Sequence, residues 1–285
     1  MSRLFVNRYA EKTQSANILR TRRNGSGLNN AAKAVRQPRA EHELTPYHPL
    51  TELGIRSLLV LAPHPDDEVL GCGGLMALAV AQGVRVYVVV LSDGAAGGGA
   101  AQQEQECCTA AHAIGYLQRT DALSFWRLPD RGVLPDAALI QRIAQTIDTC
   151  LVEWVLAPSP FEIHPDHRAV CLAAMAACAM TNRRLGFYEV GQPLMPNCLV
   201  DISAVLDVKQ QAMRCFESQM AVQDYGEHIA ALNRYRSYTL GPRVTHAEAF
   251  HFVEPPVLAG GIEAMQVVVQ QSLADRFVGF AAASR

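Results

Sequence analysis

Two short clusters of histidine and carboxylate side chains are the groups in this sequence that could do chemistry. The first runs from His64 to Glu68 and the second from Ile163 to His167, and both contain His-Pro-Asp. His64 and Asp67 offer one imidazole nitrogen and one carboxylate oxygen, a ligand mix that suits zinc. Asp66 lies between them and remains free to accept a proton from an attacking water. One such cluster is commonly a surface hydrogen bond, whereas two favour a metal-dependent hydrolytic site.

Each cluster follows an apolar run that predicts a buried strand, residues 57–62 in one case and 154–157 in the other. Prolines stop both runs before a helix can begin. Later segments alternate between the two patterns, with strands predicted at 85–91, 123–128, 185–190 and 198–202 and helices at 73–82, 102–114, 136–152, 167–180 and 209–219. This alternation predicts an α/β fold: a Rossmann-like open, mostly parallel sheet with helices on both faces and the active site at the carboxyl ends of the strands.

Several motifs together resemble those of the PIG-L or LmbE-like family of zinc-dependent N-deacetylases. They span roughly residues 56–253 and comprise the two histidine clusters, the glycine-led helix after the first, Glu106 with Gly115, the turn Leu128-Pro129-Asp130, the helix Lys209–Gln219 and the box Ala247–Phe250. Two positions depart from the family pattern. Pro63 replaces the usual Ala, and Gln103 stands where the family usually has an Arg. The second change removes a cation often associated with the substrate pocket and makes anionic substrates less favoured.

The resemblance implies a zinc centre, with other divalent metals as alternatives, held by His64, Asp67 and His167. Three protein ligands leave one position open for catalysis, and zinc lowers the pKa of a bound water to about 7. Asp66 is expected to act first as general base and then as the acid that protonates the leaving nitrogen. Cys72, one turn beyond the first cluster, is expected to pack in the core rather than to bind the metal.

The remaining candidate residues concern the oxyanion and the substrate. His164 is expected to stabilise the oxyanion in its protonated form, with Asp166 holding that imidazole in place. Asp93, Asp130 and Arg131 follow the second and third predicted strands and are expected to contact the substrate. An Asp in a turn also makes purely local hydrogen bonds, and this alternative stays open for Asp130.

The expected function is removal of an N-acetyl, or other N-acyl, group from an N-acetylglucosamine-containing sugar or glycoconjugate. One alternative is a catalytically silent sugar-binding protein on the same fold, although all the residues assigned roles are intact. Another is a deacylase of a non-sugar N-acyl amine. Two-metal phosphoester chemistry is disfavoured because the sequence has no second carboxylate-rich cluster.

Charge and composition bound the remaining possibilities. The chain has 285 residues, 49% of them hydrophobic, so it can form one large core. Residues 1–40 contain nine Arg or Lys and one acidic residue, a net charge of +8, and because the whole chain carries −2 the rest carries −10. An acidic catalytic part argues against a nucleic-acid substrate. No apolar run reaches the roughly 18 residues that a membrane-spanning helix needs.

The predicted domain organisation has three parts. Residues 1–48 form a basic, partly disordered arm that could touch anionic lipid or a partner, 49–258 the deacetylase domain, and 259–285 a tail that packs on the domain or on a partner. Eight cysteines lie in apolar surroundings without paired spacing, which predicts reduced thiols. Together with an arm that lacks the apolar core of a secretory signal, this indicates a cytoplasmic protein. A homo-oligomer remains open.

Overall fold

The computed structural model describes residues 49–97 and 99–266. Seven strands form its central sheet: β1 (Ser57–Ala62), β2 (Arg85–Ser92), β3 (Leu123–Leu128), β4 (Trp154–Pro158), β5 (Arg184–Tyr188), β6 (Cys198–Asp201) and β7 (Ala247–Val253). Their order across the sheet is β3-β2-β1-β4-β5-β7-β6. The five strands from β3 to β5 are parallel, and β7 is antiparallel to both β5 and β6. The predicted Rossmann-like, mostly parallel α/β fold is therefore confirmed.

Helices cover both faces of this sheet because the central strands are apolar on both sides. Alternate residues of β1 enter two separate cores, Leu58 and Val60 on one face and Leu59 and Leu61 on the other. The helices are α1 (Asp67–Ala81), α2 (Ala100–Ile114), α3 (Ala137–Thr149), α4 (Pro165–Thr181), α5 (Leu206–Met213), α6 (Glu217–Met220), α7 (Tyr225–Arg236) and α8 (Pro255–Leu258). Helices α1, α2 and α5 contribute to the first core, and α3 and α4 to the second.

A buried ion pair fixes α1 to the antiparallel edge of the sheet. Lys209 Nζ lies 2.7 Å from Glu248 Oε1 and donates a hydrogen bond of 2.9 Å to the carbonyl of Leu70. The Glu248 carboxylate also accepts the backbone N–H groups of Gly74 and Leu75, at 2.7 and 2.8 Å. Gly74 must lack a side chain, since a Cβ there would collide with the Glu248 carboxylate. These contacts set the position from which α1 presents its first turn.

Two helices differ most from the sequence-based prediction. Helix α1 begins at Asp67 rather than at residue 73, because the last proline of the first cluster precedes the helix and two acidic residues suit its first turn. The helix predicted at 209–219 is two short helices, since α5 ends at Met213 and α6 starts at Glu217. By contrast, the predicted bounds of β1 and β3 are those of the structure.

Some predictions fall beyond the described residues. The basic arm at 1–48 and residues 267–285 of the predicted tail lie outside them. None of the helices in the described part combines the length and the apolar character needed to cross a membrane. All eight cysteines are described and all are free, as predicted, with Cys72 fully buried in the core.

Candidate metal centre and active site

The two histidine clusters meet because β1 and β4 are parallel neighbours. Parallel strands end at one edge of a sheet, so the loops that follow them lie side by side. The first cluster connects β1 to α1, and the second leads from β4 into α4. His164 is the N-cap of α4, where its Nδ1 accepts the backbone N–H of Asp166 at 3.2 Å, and Pro165 occupies the first helical position. His167 consequently lies in the first turn of α4.

Three predicted metal ligands bring one donor atom each to a common point. Asp67 Oδ2 lies 3.3 Å from His64 Nδ1 and 3.1 Å from His167 Nε2, and the two ring nitrogens are 3.2 Å apart. Zinc bonds of about 2.0–2.2 Å in a tetrahedron place neighbouring ligand atoms roughly 3.3 Å apart. The triangle formed by His64, Asp67 and His167 therefore has the dimensions and the donor chemistry that fit one zinc-sized ion.

Two further groupings around His64 could also hold a metal ion. A ring nitrogen of His164 lies within 4.8 Å of those of His64 and His167, and a second set joins His64 and His164 to Asp130 and Asp166. The carboxylates of this second set already accept hydrogen bonds from backbone N–H groups. The shorter and more equal distances at Asp67 favour the triangle as the primary site.

The electrostatic interactions among His64, Asp67 and His167 also favour the triangle as the primary metal site. Burial opposes ionisation of Asp67, but His167 and His64 together hold its pKa well below the usual range. Burial also opposes a charge on His167, yet Asp67 and Glu162 raise the pKa of its ring to about 10. Burial acts in the same direction on His64, and Asp67 again outweighs it, so the pKa of this ring is raised too. A metal ion binds the neutral imidazole, so uptake of a cation here would release protons from the histidines.

Asp66 occupies an unusual backbone conformation beside the triangle. Its φ is 111° and its ψ −30°, a region that L residues rarely adopt and that costs on the order of 1–3 kcal/mol. It is buried, and it lines the same cavity as the triangle. Burial, together with the charges of Asp67 and Glu68, raises the pKa of Asp66. A carboxyl group with a pKa closer to neutrality is better able both to accept a proton and to return it.

His164 and Asp166 differ in one respect from the sequence-based assignment. The Asp166 carboxylate does not hold His164, because its Oδ2 lies 3.2 Å from Nε2 of His64 and accepts the N–H of Arg131 at 2.7 Å. Its backbone N–H, not its carboxylate, bonds His164. Burial and the charges of the two other histidines lower the pKa of His164. With Nδ1 as acceptor, a neutral His164 carries its proton on Nε2 and can still donate a hydrogen bond.

A cavity of about 330 Å³ opens over these groups. Asp130 and Arg131 line it, as predicted for substrate contacts, but Asp93 does not. The Asp93 carboxylate instead accepts the backbone N–H groups of Ala95 and Asp130, at 3.1 and 3.3 Å, and so ties together the loops after β2 and β3. Asp130 is itself engaged, with Oδ1 3.4 Å from His64 Nε2 and Oδ2 accepting the N–H of Ala96. Both the contact and the local turn role foreseen for Asp130 are compatible with this position.

The sequence profile of the PIG-L family, described as GlcNAc-PI de-N-acetylase, matches residues 59–178, the stretch that supplies every ligand of the triangle. The chain belongs to the PIG-L family. It is accordingly an enzyme of the amide-hydrolysing, deacetylase type. This PIG-L chain is 27% identical to a diacetylchitobiose deacetylase of Thermococcus kodakarensis over 233 residues, which cover 70% of this chain and 84% of the relative.

Two other similar proteins bear on the family assignment. The crystal structure of the conserved protein TT1542 from Thermus thermophilus is 32% identical, covers 70% of this chain and 96% of its own, and superposes with a TM-score of 0.64. A 4-oxalmesaconate hydratase of Pseudomonas putida is 24% identical over 235 residues, which cover 71% of this chain and 91% of the relative. Relatives of this PIG-L chain thus include a protein named for a reaction other than deacetylation.

Sequence reasoning missed Glu162, which the structure places behind His167. Glu162 is buried, lies next to the second cluster in sequence and accepts backbone N–H groups of the loop after β5. No pattern in the sequence signals this role, because the acceptor and the loop are 28 residues apart. The structure also explains the motif residue Glu106. Its carboxylate accepts hydrogen bonds from the N–H and the hydroxyl of Ser218, at 2.9 and 2.6 Å. These bonds hold the next residue, Gln219, which lines the cavity.

Gln103, at the position where the family usually has an Arg, is almost fully buried and lines the cavity of this PIG-L chain. Its Nε2 donates to the carbonyl of Gly94 at 3.2 Å. Arg131 is the one Arg or Lys among the described residues that line the cavity. The pocket therefore offers a neutral amide group at this position.

Proposed function

We propose that this PIG-L chain is a zinc-dependent hydrolase that removes the acetyl group from an N-acetylglucosamine-type sugar or glycoconjugate. The observation that carries the proposal is the triangle of His64, Asp67 and His167 donor atoms, 3.1–3.3 Å apart on the floor of one cavity, with Asp66 and His164 beside it. Zinc at such a triangle lowers the pKa of a bound water to about 7 and polarises the amide carbonyl.

Asp66 is the group placed to move the proton. A water must lose a proton as its oxygen bonds to the acetyl carbon, and Asp66 accepts it. When the carbon–nitrogen bond breaks, the same carboxyl returns the proton to the leaving nitrogen, so that acetate and a free amine result. Proton transfer by a positioned carboxylate typically contributes about 10²- to 10⁴-fold to the rate.

His164 is the group placed to stabilise charge on the carbonyl oxygen. Its Nδ1 accepts the N–H of Asp166, which leaves Nε2–H as the donor of a neutral ring, and His164 lines the cavity. A donor held in place before the reaction stabilises the oxyanion without reorganising, and one such donor typically contributes about 10²- to 10³-fold. A neutral imidazole is sufficient for this role, which replaces the protonated form expected from the sequence.

The substrate class rests on the chemistry of the cavity walls. Gln103, Gln219 and Asp130 offer neutral and acidic hydrogen-bonding groups, which suit the hydroxyls of an uncharged amino sugar. Arg131 is exposed at the rim and can contact whatever is attached to that sugar. The similarity to a protein named diacetylchitobiose deacetylase supports the same class.

The test combines metal analysis with an amine-release screen. The purified protein is stripped with chelator, reloaded with zinc, and assayed on N-acetylglucosamine, N,N′-diacetylchitobiose, aryl glycosides of N-acetylglucosamine and non-sugar N-acetyl amines. Zinc-dependent release from the sugars supports the proposal. Release that survives exhaustive chelation refutes the metal role, and release from non-sugar amines alone refutes the sugar class. A zinc-loaded protein that releases no amine, yet adds water to 4-oxalmesaconate, would place it with the hydratase relative.

A further inference from the structure

The buried carboxylate of Glu162 joins the metal-site histidine to the wall of the cavity. Its Oε1 accepts the N–H groups of Val190, Gly191 and Gln192 at 2.8, 3.1 and 3.3 Å, and its Oε2 lies 3.0 Å from the N–H of Gly191. The same Oε2 lies 3.5 Å from Nδ1 of His167. Val190, Gly191 and Glu162 all line the cavity, although Glu162 itself is only 2% exposed.

The His167 ring, by contrast, lacks a hydrogen bond on the side that faces Glu162. Nδ1 of His167 is buried and has no hydrogen-bond partner among the described residues, although Nε2 of the same ring forms one corner of the triangle. A buried polar atom without a partner destabilises the fold. The nearest carboxylate oxygen, Glu162 Oε2, lies 3.5 Å away and needs to move by about 0.6 Å to reach the usual hydrogen-bond length of roughly 2.9 Å.

We propose that Glu162 is a positioning residue that accepts a hydrogen bond from Nδ1–H of His167 when the metal is bound. This hydrogen bond fixes the tautomer that leaves Nε2 free for the metal, and it orients the ring. Because the other lone pairs of the same carboxylate hold residues 190–192, metal binding and the position of the cavity wall are coupled through one side chain. The inference rests on the metal site of the proposed function.

Glu189 provides a matched control in the same region. It is also a buried glutamate, its Oε1 accepts the N–H of Leu194 at 2.7 Å, and it pairs with Arg236. It therefore holds a neighbouring part of the same loop through contacts that do not involve a metal-site histidine. Glutamine at either position keeps one carbonyl oxygen for the backbone N–H groups, removes the charge and replaces the second acceptor oxygen by an NH2 donor.

The experiment measures zinc affinity by competition with a chromophoric chelator for the wild type, Glu162→Gln and Glu189→Gln. Loss of a carboxylate behind a metal-ligating histidine typically weakens metal binding by about 10- to 100-fold. We expect a loss of that size for Glu162→Gln and a change below about threefold for Glu189→Gln. An unchanged affinity in Glu162→Gln, or an equal loss in both variants, overturns the inference. A wild type that binds no zinc overturns the proposed function itself, which separates the two failures.

A second measurement needs no variant and covers the case in which Glu162→Gln fails to fold. Hydrogen–deuterium exchange of the wild type is compared before and after zinc is added. The amides of residues 190–192 should exchange several-fold more slowly with zinc, whereas the amide of Leu194, which Glu189 holds, should not change. Equal exchange of residues 190–192 in the two states refutes the coupling.

Discussion

Replacing Lys209 by Met would test whether the buried pair with Glu248 holds α1 in place. Both side chains are at most 1% exposed, and the ammonium group has two acceptors, Glu248 Oε1 and the Leu70 carbonyl. Removing the cation leaves a carboxylate buried without its counter-charge, for which the usual loss of stability is about 3–5 kcal/mol. Glu248 keeps two backbone N–H partners, at Gly74 and Leu75, so we expect the lower end of that range, about 3 kcal/mol.

Urea unfolding of the metal-free protein, followed by circular dichroism, measures this loss. The matched variant is Lys209→Met combined with Glu248→Gln, in which no charge remains and the glutamine carbonyl can still accept an N–H group. Neutral replacement of a whole buried pair is often tolerated, so the double variant should lie within about 1–2 kcal/mol of the wild type. A single variant that loses less than about 1 kcal/mol, or losses that simply add in the double variant, would show that the pair does not fix the helix.

Two further predictions concern residues of the two histidine clusters. Asp66→Asn should retain zinc but lose about 10²- to 10⁴-fold in kcat, whereas His167→Ala should lose zinc as well. Metal analysis and amine release measure the two effects. If Asp66→Asn lost the metal and His167→Ala kept it, both assignments would be overturned. Burial, reinforced by the charge of Asp67, raises the pKa of Glu68 from 4.5 to about 7. The folded protein then holds the extra proton, so stability should fall as pH rises from about 4.5 to 7, by roughly 3 kcal/mol in the metal-free protein. Glu68→Gln should remove the Glu68 contribution to that fall in urea titrations at several pH values, and a variant whose stability falls as steeply with pH as the wild type would contradict it.

Strand positions could be predicted from the sequence because burial on both faces leaves a continuous apolar run. The run at residues 57–62, which is buried throughout, has the same bounds in the structure. The half-buried edge strand at 123–128 also has its predicted bounds, although Ser124 and Arg127 interrupt its apolar residues. Helix α1 was harder to place, since Pro65 signals the end of a strand and equally the approach to a helix. The break between Met213 and Glu217 has no proline or glycine to announce it.

The chemistry could be predicted only where it lies within a motif. His64, Asp67 and His167 could be proposed as metal ligands because His and Asp residues recur at two strand ends, and the structure brings their donor atoms together. The hydrogen-bond partners of Asp166 and Glu162 could not be predicted. These partners lie 28 to 102 residues away in the sequence, and only the folded sheet brings them close. The local sequence specifies which side chains could take part in catalysis, and the order of the strands in the sheet decides which of them are in contact.

The way in which Glu162 holds the loop after β5 has a consequence for redesigning the enzyme. Its carboxylate accepts hydrogen bonds from backbone N–H groups of residues 190–192, so these bonds do not depend on the side chains of Val190 and Gln192. Gly191 is constrained, since a Cβ there would lie 3.0 Å from the Glu162 carboxylate. A library that varies position 190, which lines the cavity, while excluding proline, should reshape that cavity without disturbing the triangle below it.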